Sequence, residues 1–272
     1  MKNILLINDL AGVGKVAMSS MIPTLSKLGI SSNYLPTALV SNTLDYGKFD
    51  ILDTTKYMEN SIKCYNELGF KFDAIATGFI VSDEQSKMIY EYCKKAKSDN
   101  ATIFVDPIFG DNGKLYNGMS EVNVNNMKRL ISVSDYLMPN YTEACYLTNT
   151  ECKEMITFKE VEVLVDKLLE LGAKSIIITS CKLEDNHVTV CYDYETKEIR
   201  LFSYNLIPVR MAGTGDIFSS IFISNILNGK DIFYSTKKAM NIVYKLIELN
   251  KDNIDKSRGI NVEEYSEAFY NE

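Results

Sequence analysis

Apolar, strand-like runs alternate with helical patterns along most of this chain of 272 residues. The candidate strands are Ile4–Asn8, Asn33–Thr37, Ala74–Thr77, Thr102–Val105, Tyr136–Met138 and Ser175–Thr179. Stretches with apolar residues three and four positions apart lie between them, as in Val16–Leu28, Thr55–Leu68, Glu84–Ala96 and Phe158–Leu171. This alternation is typical of βαβ units. It predicts an α/β fold, a three-layer α/β/α sandwich with a mostly parallel central sheet.

The C-terminal third departs from this pattern. Val188–Tyr194 and Ile199–Asn205 flank the polar turn Asp193–Lys197, which predicts an antiparallel hairpin. Two further helices are expected to begin near Gly213 and near Phe233. Because the sequence contains no internal repeat, low-complexity tract or linker rich in Pro or Gly, we expect a single domain over residues 1–272.

Composition argues against several classes of partner. The net charge of −7 and the pI near 5.0 offer no broad positive surface for nucleic acid. The apolar run at the N-terminus is too short for a signal peptide, and no later stretch approaches the roughly 18 uninterrupted apolar residues of a membrane span. We therefore expect a cytoplasmic protein that binds a small molecule rather than nucleic acid or membrane.

The cysteines and the single histidine argue against several kinds of metal site and against disulfide bonds. None of the six cysteines belongs to a C-x-x-C pair, so neither a zinc site nor a disulfide framework is indicated. His187 lies in an alternating, strand-like run, and we interpret it as structural or surface-exposed. With one histidine in the chain, a multi-histidine metal site is excluded.

Ligands of open α/β sheets bind outside the carboxyl ends of the strands, so residues that follow the predicted strands are candidate site residues. They are Asn8, Asp9, Thr37, Gly78, Asp106, Pro107, Pro139, Asn140, Glu143 and Ser180. The nearby Gly12-Val13-Gly14-Lys15 is not a phosphate-binding P-loop, because that motif requires Gly at the position of Asp9 and Ser or Thr at that of Val16. We expect a simple glycine turn there.

The motif Gly213-Thr214-Gly215-Asp216 precedes an apolar helical pattern. Backbone N–H groups at a helix N-terminus lack intrahelical partners and can bind phosphate oxygens. An aspartate in the first turn can accept the proton of an attacking hydroxyl. The motif therefore indicates phosphoryl transfer with Asp216 as general base, although by itself it is equally compatible with an ordinary acidic residue in a first helical turn.

Two further segments contain candidate residues for binding a nucleotide and a metal ion. Asp106 follows a predicted strand and can face a magnesium–nucleotide complex, and the Gly- and Asp-rich residues up to Tyr116 are expected to move as a loop. Asn140 and Glu143 are three positions apart, so a helix that begins here places them on one face. There they can hold magnesium or phosphate oxygens, and they also form something close to a capping box.

In order along the chain, three motifs resemble those of one family: Asp106-Pro107-x-x-Gly110-Asp111-x-Gly113-Lys114-Leu115-Tyr116, Pro139-Asn140-x-x-Glu143-Ala144 and Gly213-Thr214-Gly215-Asp216. On these motifs the chain resembles the ribokinase-like superfamily and, within it, the pyridoxal/pyridoxamine kinase family over essentially its full length. The resemblance implies ATP with Mg²⁺, often a monovalent cation such as K⁺, and usually a homodimer. It also implies phosphorylation of the 5′-hydroxymethyl group of pyridoxal, pyridoxamine or pyridoxine, the salvage route to pyridoxal 5′-phosphate.

The same resemblance implies roles for individual residues. Asp216 matches the catalytic base, and Gly213, Thr214 and Gly215 match the anion hole. The matching nucleotide-binding residues are Asp106, Asn140, Glu143, Ser180, Met211 and Thr214, of which Asp106 and Glu143 are also metal ligands. The matching substrate-binding residues are Asp9, Thr37, Ser41, Tyr46 and Gly78, with a lid formed by residues after Thr37.

The chain departs from the family pattern at three places. Many pyridoxal kinases have Ser where this chain has Asp9, and His in the lid sequence that here is Ser41-Asn42-Thr43. Ser180 stands where some members have a lysine that reaches ATP. Asp9 can pair with a ring nitrogen or hydroxyl, and can favour an amine-bearing ring such as pyridoxamine.

Three alternatives remain open at this point. A hydroxymethylpyrimidine kinase of thiamine synthesis shares the resemblance and is the first, and a sugar kinase is the second. The third is a non-catalytic ligand-binding relative, which we expect to have lost the base or the metal carboxylate. Asp216 and Glu143 are both present, and this argues for an active enzyme.

Overall fold

The computed structural model describes residues 2–269. They form two compact units. The terminal unit combines the described parts of Met1–Thr54 and Ile207–Glu272, and the central unit is Thr55–Leu206. The single domain expected over residues 1–272 stays a prediction.

The elements alternate along the chain as the apolar pattern indicated. The strands are β1 (Asn3–Val13), β2 (Ser31–Asn42), β3 (Ile51–Asp53), β4 (Ala74–Thr77), β5 (Thr102–Val105), β6 (Gly110–Asp111), β7 (Lys114–Leu115), β8 (Tyr136–Leu137), β9 (Ser175–Leu183), β10 (Asn186–Tyr192) and β11 (Ile199–Tyr204). The α-helices of the described residues are α1 (Met18–Lys27), α2 (Thr55–Leu68), α3 (Asp83–Ser98), α4 (Glu121–Ile131), α5 (Tyr141–Thr148), α6 (Phe158–Glu170), α7 (Thr214–Leu227) and α8 (Ile232–Asn250).

The terminal unit is built around β1 and α7. Strand β1 pairs in parallel with β2, and β2 pairs antiparallel with β3. The side chains of Ile4, Leu5, Leu6 and Ile7 are fully buried, as expected for a strand covered on both faces. Helix α7 packs against α1 and α8. Most of its residues are buried, so apolar side chains occur all around the helix rather than on one face.

The central unit contains most of the parallel strands. Strands β4, β5, β8 and β9 pair in parallel, and β10 and β11 add an antiparallel edge. The predicted hairpin is therefore confirmed, and so is the α/β fold class with mostly parallel strands. His187 lies in β10, where its ring packs against that of Tyr204 on β11, with 5.9 Å between ring centroids.

Two findings bear on the expectations from composition. Among the described residues, no helix combines the length and the apolar character needed to cross a membrane. All six cysteines are free thiols, and four of them, Cys93, Cys145, Cys181 and Cys191, are buried.

The first two strands are longer than the sequence pattern indicated. Asp9 and Thr37 were expected to follow strands and Ser41 to lie in a lid, but Asp9 lies inside β1, and Thr37 and Ser41 lie inside β2. Polar side chains interrupt the apolar run, yet the backbone ladder continues because its hydrogen bonds do not depend on the side chains. The glycine turn expected over residues 12–15 begins later than predicted, because β1 continues to Val13, and the chain bends at Gly14, whose φ is 107°, before α1 begins.

Two corrections concern the central unit. The segment that follows Asp106, expected to be a mobile loop, forms the two-stranded hairpin β6–β7. Asn112 and Gly113 between these strands have φ values of 51° and 75°, which suits a tight hairpin turn. Ser180, expected just after a strand, lies within β9 with a φ of 62°.

Candidate active site

The predicted anion hole lies at the N-terminus of α7. Gly213 is the N-cap residue with a φ of 78°, and Thr214, Gly215 and Asp216 form the first turn. The Thr214 hydroxyl donates a hydrogen bond to the carbonyl oxygen of Met211 (3.2 Å). The first backbone N–H groups of a helix have no intrahelical acceptor and carry the positive end of its dipole. The expected helix start is confirmed, and anion binding there stays a prediction.

A close backbone crossing fixes the start of α7. A methyl group at Gly213 would overlap the carbonyl oxygen of Lys15, and one at Gly259 would crowd the same oxygen. The Lys15 N–H donates to the carbonyl oxygen of Arg258 (2.7 Å). Both glycines also have positive φ, so they are needed for backbone conformation and for space. The segment that resembled a P-loop therefore packs, through the backbone of Lys15, against the first residue of the predicted anion hole. Its sequence did not reveal this role.

Asp216 is buried in the first turn of α7. Its Oδ2 accepts a hydrogen bond from the Ala17 N–H (2.8 Å), and its Oδ1 is buried without a hydrogen-bond partner among residues 2–269. Burial raises the pKa of the Asp216 carboxyl to about 6, although the hydrogen bond from Ala17 and the nearby polar groups of its own backbone and of Asn8 lower it. A buried oxygen with no partner can accept a proton from a bound hydroxyl.

The Asp216→Asn variant is expected to be more stable than the wild type, and more so at pH 8 than at pH 5. The pKa of Asp216 is raised from 3.8 to about 6, so folding penalises the ionised carboxylate. This penalty is fully present above pH 6 and is lost as the pH falls toward 3.8, the usual value. We expect a gain of about 1–3 kcal/mol at pH 8, measured by thermal unfolding.

Asp252 provides the matched control for this prediction. It is exposed in the turn that follows α8, in the same unit as Asp216. Asp252→Asn makes the same change of charge without removing a buried carboxylate, so its unfolding temperature should follow that of the wild type at both pH values. Equal behaviour of the two variants would show that burial of Asp216 carries no such penalty.

Ala17 orients the Asp216 carboxyl through a strained backbone. Its φ of 48° and ψ of −135° lie in a region that residues with a Cβ rarely adopt. Such a conformation costs on the order of 1–3 kcal/mol and persists only where the surrounding structure enforces it. The strained residue is the one that donates to Asp216. Nothing in the sequence around Ala17 signalled this role.

Asp9 and Thr37 come together at an irregularity between β1 and β2. Asn8 pairs with Pro36 and Leu10 pairs with Leu39, so β2 contains one extra residue opposite Asp9. Such bulges redirect side chains and are common beside active sites. Burial, followed by the charge of Asp216, raises the pKa of the Asp9 carboxyl to about 7. The structure thus places Thr37 opposite Asp9 in the sheet, and the charge of Asp216 acts on the Asp9 carboxyl.

Ser41 and Tyr46 are engaged elsewhere in the terminal unit. The Ser41 hydroxyl donates to Asn42 Oδ1 (2.7 Å) and accepts from the Asp50 N–H (2.9 Å). The Tyr46 hydroxyl donates to Asp255 Oδ2 (2.6 Å). These contacts hold the end of the β2–β3 hairpin, and a substrate-binding role for the two residues stays a prediction.

In the central unit, Glu143 joins the N-terminus of α5 to the segment after β5. Its Oε2 accepts from the Asn140 N–H (2.8 Å), and Asn140 Oδ1 accepts from the Glu143 N–H (3.0 Å), so the predicted capping box is confirmed. Glu143 Oε1 accepts from the Phe109 N–H (3.2 Å), and Asn140 Nδ2 donates to the Gly110 carbonyl oxygen (2.7 Å). Glu143 therefore fixes the entry to the β6–β7 hairpin.

Glu143 and Asp106 are a pair of acidic side chains with mutual repulsion. Burial raises the pKa of Glu143 well above its usual value, and the charge of Asp106 raises it further. Carboxylate oxygens are the ligands that Mg²⁺ prefers, and a carboxylate that accepts backbone hydrogen bonds can keep a free lone pair for a metal ion. The pair therefore fits a divalent cation chemically. Groups of three or more metal-ligating side chains are absent from the described residues.

Glu143→Ala should release the β6–β7 hairpin, because the Phe109 N–H then loses its acceptor. A lost buried hydrogen bond costs about 1–3 kcal/mol, so we expect amide hydrogen exchange at Phe109 to accelerate about tenfold or more. Glu160 on α6 offers a matched control, since it caps its helix through the same kind of capping box with Thr157 but is only partly buried. Unchanged exchange at Phe109 in Glu143→Ala would contradict the tethering role.

The two remaining candidates, Gly78 and Ser180, belong to the central unit. Gly78 follows β4 and is buried. Ser180 is exposed in β9, next to Thr179, which forms a backbone bridge with Asn140. Ser180 therefore lies close in the sheet to the capping box of α5.

Comparison with known proteins identifies relatives over nearly the whole chain. A family model described as phosphomethylpyrimidine kinase matches residues 19–261. The pyridoxal kinase PdxY of Paraburkholderia xenovorans is 27% identical over 90% of this chain and 88% of its own. The hydroxymethylpyrimidine/phosphomethylpyrimidine kinase of Aquifex aeolicus is 28% identical over 67% of this chain and 69% of its own. A structure from Bacteroides thetaiotaomicron, classed as a phosphomethylpyrimidine kinase and solved with pyridoxal, is 29% identical, covers 98% of this chain and 95% of its own, and has a TM-score of 0.94.

Proposed function

The chain belongs to the phosphomethylpyrimidine kinase family, a group of ribokinase-like enzymes that includes pyridoxal kinases, and we propose that it uses ATP to phosphorylate the 5′-hydroxymethyl group of a pyridoxine-type ring. The family resemblance inferred from the three motifs is confirmed. The chain is a phosphotransferase that acts on an alcohol group. The pyridoxal kinase relatives and the pyridoxal-bound neighbour support the choice of ring.

In the proposed reaction, Asp216 takes the proton of the substrate hydroxyl at its unpartnered Oδ1. The alcohol oxygen forms a bond to the γ-phosphorus of ATP, the bond from that phosphorus to the bridging oxygen breaks, and ADP leaves. The backbone N–H groups of Gly213, Thr214 and Gly215 offset the negative charge of the transferred group. A pKa of about 6 suits a base that works near neutral pH.

For the other components of the reaction we extend the same proposal. The nucleotide contacts Asp106, Asn140, Glu143, Ser180, Met211 and Thr214, and the substrate contacts Asp9, Thr37, Ser41, Tyr46 and Gly78. Asp106 and Glu143 would hold Mg²⁺, because a divalent cation relieves the repulsion between them. When bound, the metal offsets phosphate charge. A monovalent cation such as K⁺, a homodimer and a cytoplasmic location complete the proposal by family resemblance.

The observation that carries the proposal is Asp216, a buried base with a free oxygen in the first turn of a helix that begins with glycine. The test is release of ADP by the purified protein with ATP, Mg²⁺ and a panel of acceptors. The panel contains pyridoxal, pyridoxamine, pyridoxine, hydroxymethylpyrimidine and simple sugars. We expect the fastest release with a pyridoxine-type ring. Binding of an acceptor without any ADP release would instead identify a non-catalytic binding protein.

A second candidate function is phosphorylation of hydroxymethylpyrimidine. The description of the family model and the Aquifex aeolicus relative favour it. Both substrates present a hydroxymethyl group on a nitrogen heterocycle, so the same base and anion hole serve either reaction. The acceptor panel separates the two functions by their relative kcat/KM.

A further inference from the structure

A cavity of about 320 Å³ lies beside α5 in the central unit, and two cysteines, Cys145 and Cys152, are among the residues that line it. Cys145 belongs to α5 and is buried, whereas Cys152 follows the helix and is partly exposed. A cavity can hold a water molecule once it exceeds about 15 Å³, so this one has room for a small polar solute beside the thiols.

Each of the two thiols contacts the backbone segment that carries the other. Cys145 Sγ lies 4.0 Å from the carbonyl oxygen of Glu151, the residue immediately before Cys152. Cys152 Sγ lies 4.0 Å from the carbonyl oxygen of Thr142, about one turn before Cys145 in α5. At the end of the helix the Thr150 N–H donates to the Cys145 carbonyl oxygen (2.8 Å), so the chain turns back along α5. The fold therefore brings these two cysteines together.

The two thiols differ in how readily a solute can oxidise them. Burial, followed by the neighbouring Cys152 thiol, raises the pKa of Cys145 to about 12, so Cys145 stays protonated at neutral pH. Cys152 is the member of the pair that solvent reaches. Oxidation of cysteine requires the thiolate and access to it. A small oxidant in the cavity is therefore expected to react first at Cys152, with Cys145 beside the product.

We propose that Cys145 and Cys152 are a redox-sensitive modification site, at which hydrogen peroxide converts the two thiols into an intramolecular disulfide. The Cys152 thiolate attacks one peroxide oxygen, the O–O bond breaks, and a sulfenic acid forms while hydroxide takes up the thiol proton as water. The Cys145 sulfur then attacks the sulfenic sulfur, the S–O bond breaks, and the hydroxyl leaves with the Cys145 proton as a second water. Two thiols are oxidised and one peroxide is reduced. Neither cysteine is proposed to bind nucleotide, metal or substrate, so the modification does not depend on the proposed function.

Trypsin gives a direct readout, because the chain has no lysine or arginine between Arg129 and Lys153. Residues 130–153 are released as one peptide, whose only cysteines are Cys145 and Cys152. The folded protein is treated with hydrogen peroxide, free thiols are blocked with iodoacetamide, and the peptide is analysed by mass spectrometry. We expect most of the peptide to have lost two hydrogen atoms, to carry no iodoacetamide adduct, and to regain both thiols with dithiothreitol.

Cys93 on α3 is the control for access to the thiols. It is buried in the same unit, and burial raises its pKa to about 12 as well. Cys93 should stay reduced at the peroxide dose that forms the disulfide. Oxidation of Cys93 at the same rate would show that peroxide reacts with unfolded protein, and this result would overturn the proposal.

Two variants separate the roles of the thiols. Cys145→Ala removes the second thiol, so the sulfenic acid at Cys152 should persist and its adduct with dimedone should increase about tenfold or more over the wild type. Cys152→Ser changes a partly exposed residue, and it provides the test if Cys145→Ala does not fold: Cys145 should then stay reduced. The proposal is overturned if wild-type Cys152 becomes a sulfinic acid beside a reduced Cys145, if both thiols resist peroxide, or if Cys145 is oxidised equally fast in Cys152→Ser.

Discussion

Replacing Asp216 with Asn is expected to lower kcat by about two to four orders of magnitude while nucleotide affinity changes little. The amide keeps the size of the side chain and can still accept from the Ala17 N–H, but it cannot take a proton from the substrate hydroxyl. A positioned general base contributes about 10² to 10⁴ in rate. Steady-state kinetics and calorimetric titration with ADP separate the two effects.

The same substitution should raise stability, as described above, so loss of activity cannot come from unfolding. This combination distinguishes a catalytic aspartate from a structural one, whose loss lowers activity and stability together. Asp252→Asn should change neither kcat nor nucleotide affinity. If Asp216→Asn retained more than about a tenth of the wild-type kcat, the proton would have to be accepted by another group.

A methyl group at Gly213 is expected to disrupt the anion hole and the fold around it. In Gly213→Ala the new Cβ overlaps the Lys15 carbonyl oxygen, and the φ of 78° is unfavourable for alanine. Backbone must therefore move at the residues proposed to bind the transferred phosphate. We expect a loss of stability of about 2–4 kcal/mol and a fall in kcat/KM of about 100-fold, because a displacement of about 1 Å at a reacting centre costs that much.

Gly229, just beyond the C-terminus of the same helix, is the control for Gly213. Its φ is 79°, and a methyl group there meets no atom within 4 Å. Gly229→Ala therefore carries the conformational cost alone, about 1 kcal/mol, and should leave kcat/KM near the wild-type value. Denaturant unfolding and kinetics of both variants measure the difference. Equal losses for the two variants would show that the crossing with Lys15 is unimportant.

The sequence predicted the type and order of most elements because their apolar periodicity is strong. The strands Ala74–Thr77 and Thr102–Val105 and the helix Thr55–Leu68 were predicted to the residue. Buried strands of this kind are bounded by polar turns, so the ends of the strands can be recognised in the sequence. By contrast β1 extends five residues beyond its predicted end, because polar residues such as Asp9 take part in the backbone ladder as readily as apolar ones.

The contacts between distant segments were not predictable in the same way. The glycines of the α7 motif were visible, but the need for Gly213 comes from a carbonyl oxygen about 200 residues away in sequence. The alignment of Asp216 by the strained Ala17 likewise depends on tertiary structure, which no local pattern encodes. Local motifs thus identified the base, and the fold supplied the groups that orient it.

The capping box of α5 illustrates how one pattern supports two interpretations. Asn140 and Glu143 predicted a helix start and a metal site together, and the structure confirms the helix start. Their spacing of three residues satisfies both roles, so sequence alone could not separate them. The hydrogen bond from Phe109 to Glu143 adds a third role, which depends on the hairpin that the sequence did not predict.

The most direct test of the proposed chemistry identifies the product and its rate of formation together. Wild type, Asp216→Asn and Asp252→Asn are each incubated with ATP, Mg²⁺ and pyridoxamine, pyridoxal or pyridoxine, and the products are examined by mass spectrometry and phosphorus NMR. We expect one phosphate on the 5′-oxygen of the ring, formed equally fast by wild type and Asp252→Asn and at least about 100-fold more slowly by Asp216→Asn. A phosphate at another position, or equal rates for all three proteins, would contradict the assignment of Asp216 as the base.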